Sequence, residues 1–93
     1  MDQKTVTMLS MLKTDLGLTK TVYDERLVQY LGSAQTQIKR EGISLKLESV
    51  DDMQLVVMYA AWMWRRRDSG EGMPRMLRYA LNNRLFSEKA SNG

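Results

Sequence analysis

Two pairs of adjacent carboxylates, Asp24–Glu25 and Asp51–Asp52, are the groups best suited to proton transfer in this sequence. Acid–base catalysis by paired carboxylates needs two environments, one that keeps a proton and one that releases it. Both pairs instead stand where an apolar stretch of helical period begins, beside Thr21 and Ser49. There a carboxylate meets unpaired backbone N–H groups and the positive end of the helix dipole, which accounts for it without catalysis. The chain has no histidine and no cysteine. Disulfides, thiolate or imidazole metal sites and the usual general base are therefore excluded. With the carboxylates at helix starts, no acidic metal cluster remains. There is no G-x-S-x-G, no phosphate loop and no Gly-rich dinucleotide turn. Gly70-Glu71-Gly72 has neither a preceding strand nor a following lysine, and reads as a hinge or loop. The expectation is a protein that is not an enzyme and uses no cofactor.

The remaining chemistry is that of contact. Residues 65–84 carry six arginines against Asp68 and Glu71, whereas residues 1–50 carry seven basic and six acidic groups. The net charge of +3 is thus a local arginine excess. Arg65-Arg66-Arg67 closes a helix, where cations favour the negative dipole end. Alternatively, it pairs with a carboxylate or phosphate on another chain. Consecutive residues fan over ~200° of a helix, so at most one or two can share a contact. Arg75, Arg78 and Asn82 lie on one helical face that could follow a DNA backbone. No helix-turn-helix spacing accompanies them, and few base-reading side chains do. Trp62 and Trp64 point ~200° apart, so one belongs to the core and the other meets a second element or a neighbouring subunit. Eight methionines suit an adaptable core or interface.

Four helices position these groups. Met8, Leu9, Leu12 and Leu16 form one face of a first helix over residues 4–15, ended by Gly17. A second helix over 22–41, capped by Thr21 with Asp24 and stopped by Gly42, buries Tyr23, Leu27, Tyr30, Leu31, Ala34 and Ile38. A third over 51–67 is capped by Ser49 with Asp52 and is apolar nearly all round from Leu55 to Trp64. A thin domain can hardly surround such a helix, so part of it is expected to face a partner. Pro74 opens a fourth helix that ends near Ser87, with Met73, Met76, Leu77, Ala80, Leu81 and Leu85 inward. Between the second and third helices, Ile43, Leu45 and Leu47 alternate with polar residues. That extended connector either lids the core or packs on a neighbouring subunit. The expected architecture is an all-α bundle of about four helices forming one domain, residues 1–90, with a flexible tail at 91–93.

Ninety-three residues, 43% hydrophobic and 27% charged, make one folded domain with a thin core. Without disulfides or metals, neighbouring subunits are the expected source of further stability. The apolar cluster Met8–Leu12 is too short for a secretory signal, and the ten-residue run Leu55–Trp64 is too short for a membrane span. A soluble, cytosolic protein is expected.

Several stretches are similar to one family. They are Met8-Leu9, Leu12-Lys13 and Asp15-Leu16-Gly17; then Tyr23-Asp24, Leu27, Tyr30-Leu31, Ala34 and Ile38; then Met58-Tyr59-Ala60-Ala61-Trp62-Met63-Trp64-Arg65-Arg66-Arg67; and last the run from Met73-Pro74-Arg75-Met76-Leu77-Arg78-Tyr79-Ala80 through Leu81-Asn82-Asn83-Arg84-Leu85-Phe86. Over residues 5–90 the chain resembles the small head–tail connector (adaptor, head-completion) proteins of tailed bacteriophages and prophages. The resemblance implies an all-helical subunit of a ring, commonly a dodecamer, that docks beneath the portal protein and extends the DNA channel toward the tail. It implies contacts with the portal, with the next head-completion or tail-stopper protein, with copies of itself and, non-specifically, with genomic DNA. It implies location in the virion neck, and in the bacterial cytoplasm during assembly, with no membrane contact. A free subunit could be a monomer. No catalytic position is implied. The segment Ile43–Leu47 varies in such proteins, which leaves its role open. Partner contacts are expected at Trp62, Trp64, Arg65, Arg66, Arg67, Arg75, Arg78 and Asn82. The alternative is a small basic DNA-binding helical protein of a mobile element.

Overall fold

A computed structural model describes residues 1–92, which form four α-helices: α1 (Gln3–Leu16), α2 (Asp24–Arg40), α3 (Val50–Ser69) and α4 (Arg75–Asn92). The expected all-α architecture is present, and no strand occurs among the described residues. α4 extends beyond its expected end at Ser87, and residue 93, the last of the expected tail, lies outside the described residues. No described helix is long and apolar enough to cross a membrane.

Local chemistry sets most of the boundaries. Asp2 caps α1 by accepting from the Thr5 N–H at 3.2 Å. Gly17 and Gly70 end α1 and α3 in the left-handed conformation, with φ of 70° and 67°. The two expected capping pairs do not form. Tyr23, rather than Thr21, occupies the N-cap of α2 and makes no side-chain cap bond. Asp24 turns to Lys13, whose ammonium lies 2.8 Å from a carboxylate oxygen. Ser49 is the N-cap of α3, but its hydroxyl makes no cap bond either. Asp52 turns inward, because a stronger partner awaits it on α4.

α3 is the central helix: α1, α2 and α4 all pack against it. Met8 and Leu12 of α1, Leu27, Leu31, Ala34 and Ile38 of α2, and Leu77 and Leu81 of α4 meet Leu55, Val56, Val57, Ala60 and Ala61 of α3 in one core. Most of α3 is thus covered within the chain, and Met58, Met63 and Trp64 are left half-buried. Ile43 is fully buried and Leu45 and Leu47 are half-buried, so the extended connector lids the core with its apolar side. The molecule is a slab of 45 × 31 × 18 Å. Its least dimension holds about two helices of ~10 Å diameter. A helix on the outside of so thin a slab has one face with nothing of its own chain to cover it.

Candidate functional site

The partner-contact residues read from the sequence divide into three groups. Trp62 belongs to the core. It is 9% exposed, and its indole N–H donates to the carbonyls of Glu71 and Gly72 at 3.3 and 3.1 Å. Those bonds pin the loop between α3 and α4. Tyr59 meets the Trp62 ring edge-on at 5.5 Å, and the Arg66 guanidinium lies 4.6 Å from its centre. Trp64 points the other way, as its two-residue offset requires. It stands half-buried against Tyr23 and Tyr30, with centroid distances of 5.2 and 6.0 Å, both edge-on. The Arg67 guanidinium covers it at 3.5 Å. These aromatic contacts are inside the chain; the Trp64 cluster is nevertheless open to solvent along Val22, Tyr23 and Arg26.

The arginines make separate contacts. Arg65 donates to the Asp15 carbonyl at the end of α1 at 3.4 Å, where cations suit the helix dipole. Arg67 donates to the Trp64 carbonyl at 2.6 Å. Arg78 forms a two-pronged pair with Glu41 at 2.9 and 3.2 Å, tying α4 to the end of α2. Hydrogen bonding to Glu41 raises the Arg78 pKa above its ordinary value. Arg75 and Asn82 are exposed, so the triplet Arg75, Arg78 and Asn82 is one face only in part. Five of the six arginines of residues 65–84 thus have partners within the chain.

The fifth is the centre of a site that sequence reasoning missed. Arg84 Nε and Nη2 bond the two oxygens of Asp52 at 2.8 and 3.1 Å. Nη2 also donates to the Ser44 carbonyl at 2.8 Å, and Nη1 to Glu88 at 3.3 Å. Asp52 accepts from the Lys46 N–H at 2.7 Å, and Glu88 from the Ser44 N–H at 3.0 Å. Two helices are thereby bolted to the connector through its backbone. Asp52 is 3% exposed. Burial pushes its carboxyl pKa up, but the bonds from Arg84 and the Lys46 N–H outweigh burial and hold it below the ordinary 3.8. The signal was present in the sequence: Arg84 and Glu88 fall on the inward face of α4, and an aspartate falls on a buried helix. Opposite charges on two apolar faces call for each other. Every oxygen in this site is held by a donor from the chain, so it is a structural clamp. Among the described residues no group of three carboxylates could hold a metal ion.

The second feature is the outer face of α4. Met76, Tyr79 and Phe86 are 71%, 53% and 75% exposed. Met76 had been expected inward, but α3 and the connector cover only the side carrying Leu77, Leu81, Arg84, Leu85 and Glu88. The three exposed side chains follow one another at i, i+3 and i+10, one line along the helix. Large apolar groups gathered in a line mark contact surfaces, whereas scattered ones do not. Val22, Tyr23 and Val50 are exposed elsewhere. No family model matches the chain, and neither curated proteins nor solved structures give a match.

Proposed function

We propose that this chain is a structural subunit of a tailed-phage or prophage head–tail connector. In this reading it assembles as a ring beneath the portal, extends the DNA channel and offers a platform for tail attachment. The single observation that carries the reading is the outer face of α4: an apolar line of Met76, Tyr79 and Phe86 on a slab whose core is otherwise closed. Met76 and Tyr79 of that line lie within Met73–Arg84, which with Tyr59–Trp62 is the most specific part of the resemblance. A part whose work is fitting between other parts needs such a face and no reactive side chain. The arginines add positive potential at the end of α3, suited to an acidic portal surface or to passing DNA. The alternative, a small basic DNA-binding protein, draws less support, because Arg78 and Arg84 are held by Glu41 and Asp52.

Co-sedimentation with a cognate portal protein tests the reading. The chain is expected to travel with the portal oligomer; absence of binding across a range of salt concentrations would overturn it. Titration of a DNA duplex at two salt concentrations tests the alternative. A Kd weaker than ~100 µM at physiological salt lies below ordinary non-specific binding and removes it.

A further inference from the structure

We propose that the extended segment Ile43–Leu47 takes an acidic, extended stretch of a partner protein as an added strand, in the groove between its free edge and α2. The side chains of the segment alternate: Ile43, Leu45 and Leu47 turn to the core, and Ser44, Lys46 and Glu48 are exposed. Its backbone alternates as well. In an extended chain the N–H and C=O of one residue point to the same edge, and those of the next residue to the opposite edge. The Ser44 N–H bonds to Glu88, the Ser44 C=O to Arg84 and the Lys46 N–H to Asp52, so one edge is filled by side chains of α3 and α4. The Leu45 N–H and C=O and the Leu47 N–H belong to the other edge. They make no backbone hydrogen bond among the described residues. An unfilled edge of this kind is a template for another extended chain.

The groove sets the chemistry of its occupant. It is open to solvent, and Gln35, Thr36 and Lys39 of α2 line it opposite Ser44, Leu45 and Leu47. Gln35 and Lys39 stand at i and i+4 with Thr36 beside them, so one helical face forms the far wall. A strand laid on an extended edge is held by main-chain bonds, and its side chains are read alternately. One set meets the half-buried Leu45 and Leu47 and is apolar. The other set meets lysine. Lys39 has no ion-pair partner among the described residues, and the exposed Lys46 lies between the two leucines. The neighbouring carboxylates are already used: Glu41 pairs with Arg78, and Glu48 with Lys4. The unpaired charges at the groove are therefore cationic, and carboxylates on the entering strand complement them. The contact does not depend on the head–tail reading.

The probe is a fluorescein-labelled ten-residue peptide of alternating valine and glutamate, titrated into the full chain. Binding with a Kd below about 1 mM is expected. The amides of Leu45 and Leu47 should shift in nitrogen–proton correlation spectra and exchange more slowly with solvent. Methylating the backbone nitrogens of the four central peptide residues should weaken binding at least about ten-fold, because the main-chain bonds are lost. Lys39→Glu, an exposed change, should weaken binding about five-fold at low salt and turn the preference toward a valine–lysine peptide. No binding at about 1 mM, equal binding of the methylated peptide, shifts confined to another surface, or indifference to Lys39→Glu would each overturn the proposal. Protection of the Leu45 amide that grows with chain concentration and without peptide would place a second copy on the edge, and would overturn the partner. The head–tail reading fails separately: peptide binding without portal co-sedimentation removes that reading and leaves the groove standing. Portal co-sedimentation without peptide binding does the reverse.

Discussion

Replacing Arg84 with methionine is the sharpest test of how the fold is held. Met keeps the length and the apolar stem but removes four donations: two to Asp52, one to the Ser44 carbonyl and one to Glu88. The Asp52 carboxylate would remain buried with only the Lys46 N–H. Removing one partner of a buried ion pair costs about 3–5 kcal/mol. The Arg84 side chain is 20% exposed, so water partly replaces it and the low end, about 3 kcal/mol, is expected. At about 4–8 °C per kcal/mol for a domain of this size, the Tm should fall by about 12–24 °C. Arg84→Met with Asp52→Asn removes the most deeply buried charge, and the new amide oxygen still accepts from Lys46. The double variant should therefore be more stable than Arg84→Met alone. Acid supplies the sign. In the parent, a carboxyl held below its ordinary pKa contributes stability in full above the unfolded value of about 3.9. That contribution is lost as pH falls through the lower folded value. In Arg84→Met, burial loses its main opponent and raises the Asp52 pKa, so protonation relieves the variant. The gap between variant and parent should narrow as pH falls from neutral toward the unfolded value of about 3.9. Urea unfolding followed by circular dichroism across that range measures both effects. A cost under about 1 kcal/mol at pH 7 is the range of exposed pairs and would refute the clamp. So would a double variant as unstable as the sum of its singles.

The other predictions are simpler. Trp62→Ala should cost about 3–5 kcal/mol in the isolated chain, since it empties the core and releases the 71–72 carbonyls. Trp64→Ala should cost about 1–2 kcal/mol, because the ring is only half-buried; equal losses in thermal unfolding would contradict the division. Gly17→Ala and Gly70→Ala meet no neighbouring atom, so each should cost about 1–2 kcal/mol from the left-handed backbone alone. Asn at either site should cost less, and an unchanged Tm for the alanine variants would show that the helix ends can relax. Arg75→Glu should leave stability within about 0.5 kcal/mol, whereas Arg78→Glu sets two carboxylates together beside α2 and should lower the Tm.

What was legible in the sequence is what depends on near neighbours. Gly17 and the 3.6-residue stripes marked α1 and α2, and the alternation Ile43, Leu45, Leu47 marked the connector that lids the core. The two-residue offset separated Trp62 from Trp64. What escaped depends on distant residues. Asp52 reads as a capping group within its own turn, and only Arg84, brought beside it by packing, turns it inward. Met76 sits at the margin of the α4 stripe, and the width of the covering surface, which no local period encodes, leaves that margin in solvent. The arginine excess reads as a surface awaiting a partner until Glu41 and Asp52 are placed opposite two of its members.

The clamp holds the connector chiefly through the amides of Ser44 and Lys46 and the carbonyl of Ser44. The path of the chain through those two residues is therefore fixed more tightly than their identity. Proline at position 44 or 46 should weaken the clamp, because it removes the N–H from which Glu88 or Asp52 accepts and leaves that carboxylate to Arg84 alone. A segment can thus drift in sequence, generation after generation, while its trajectory is kept by three charged residues that lie elsewhere in the chain.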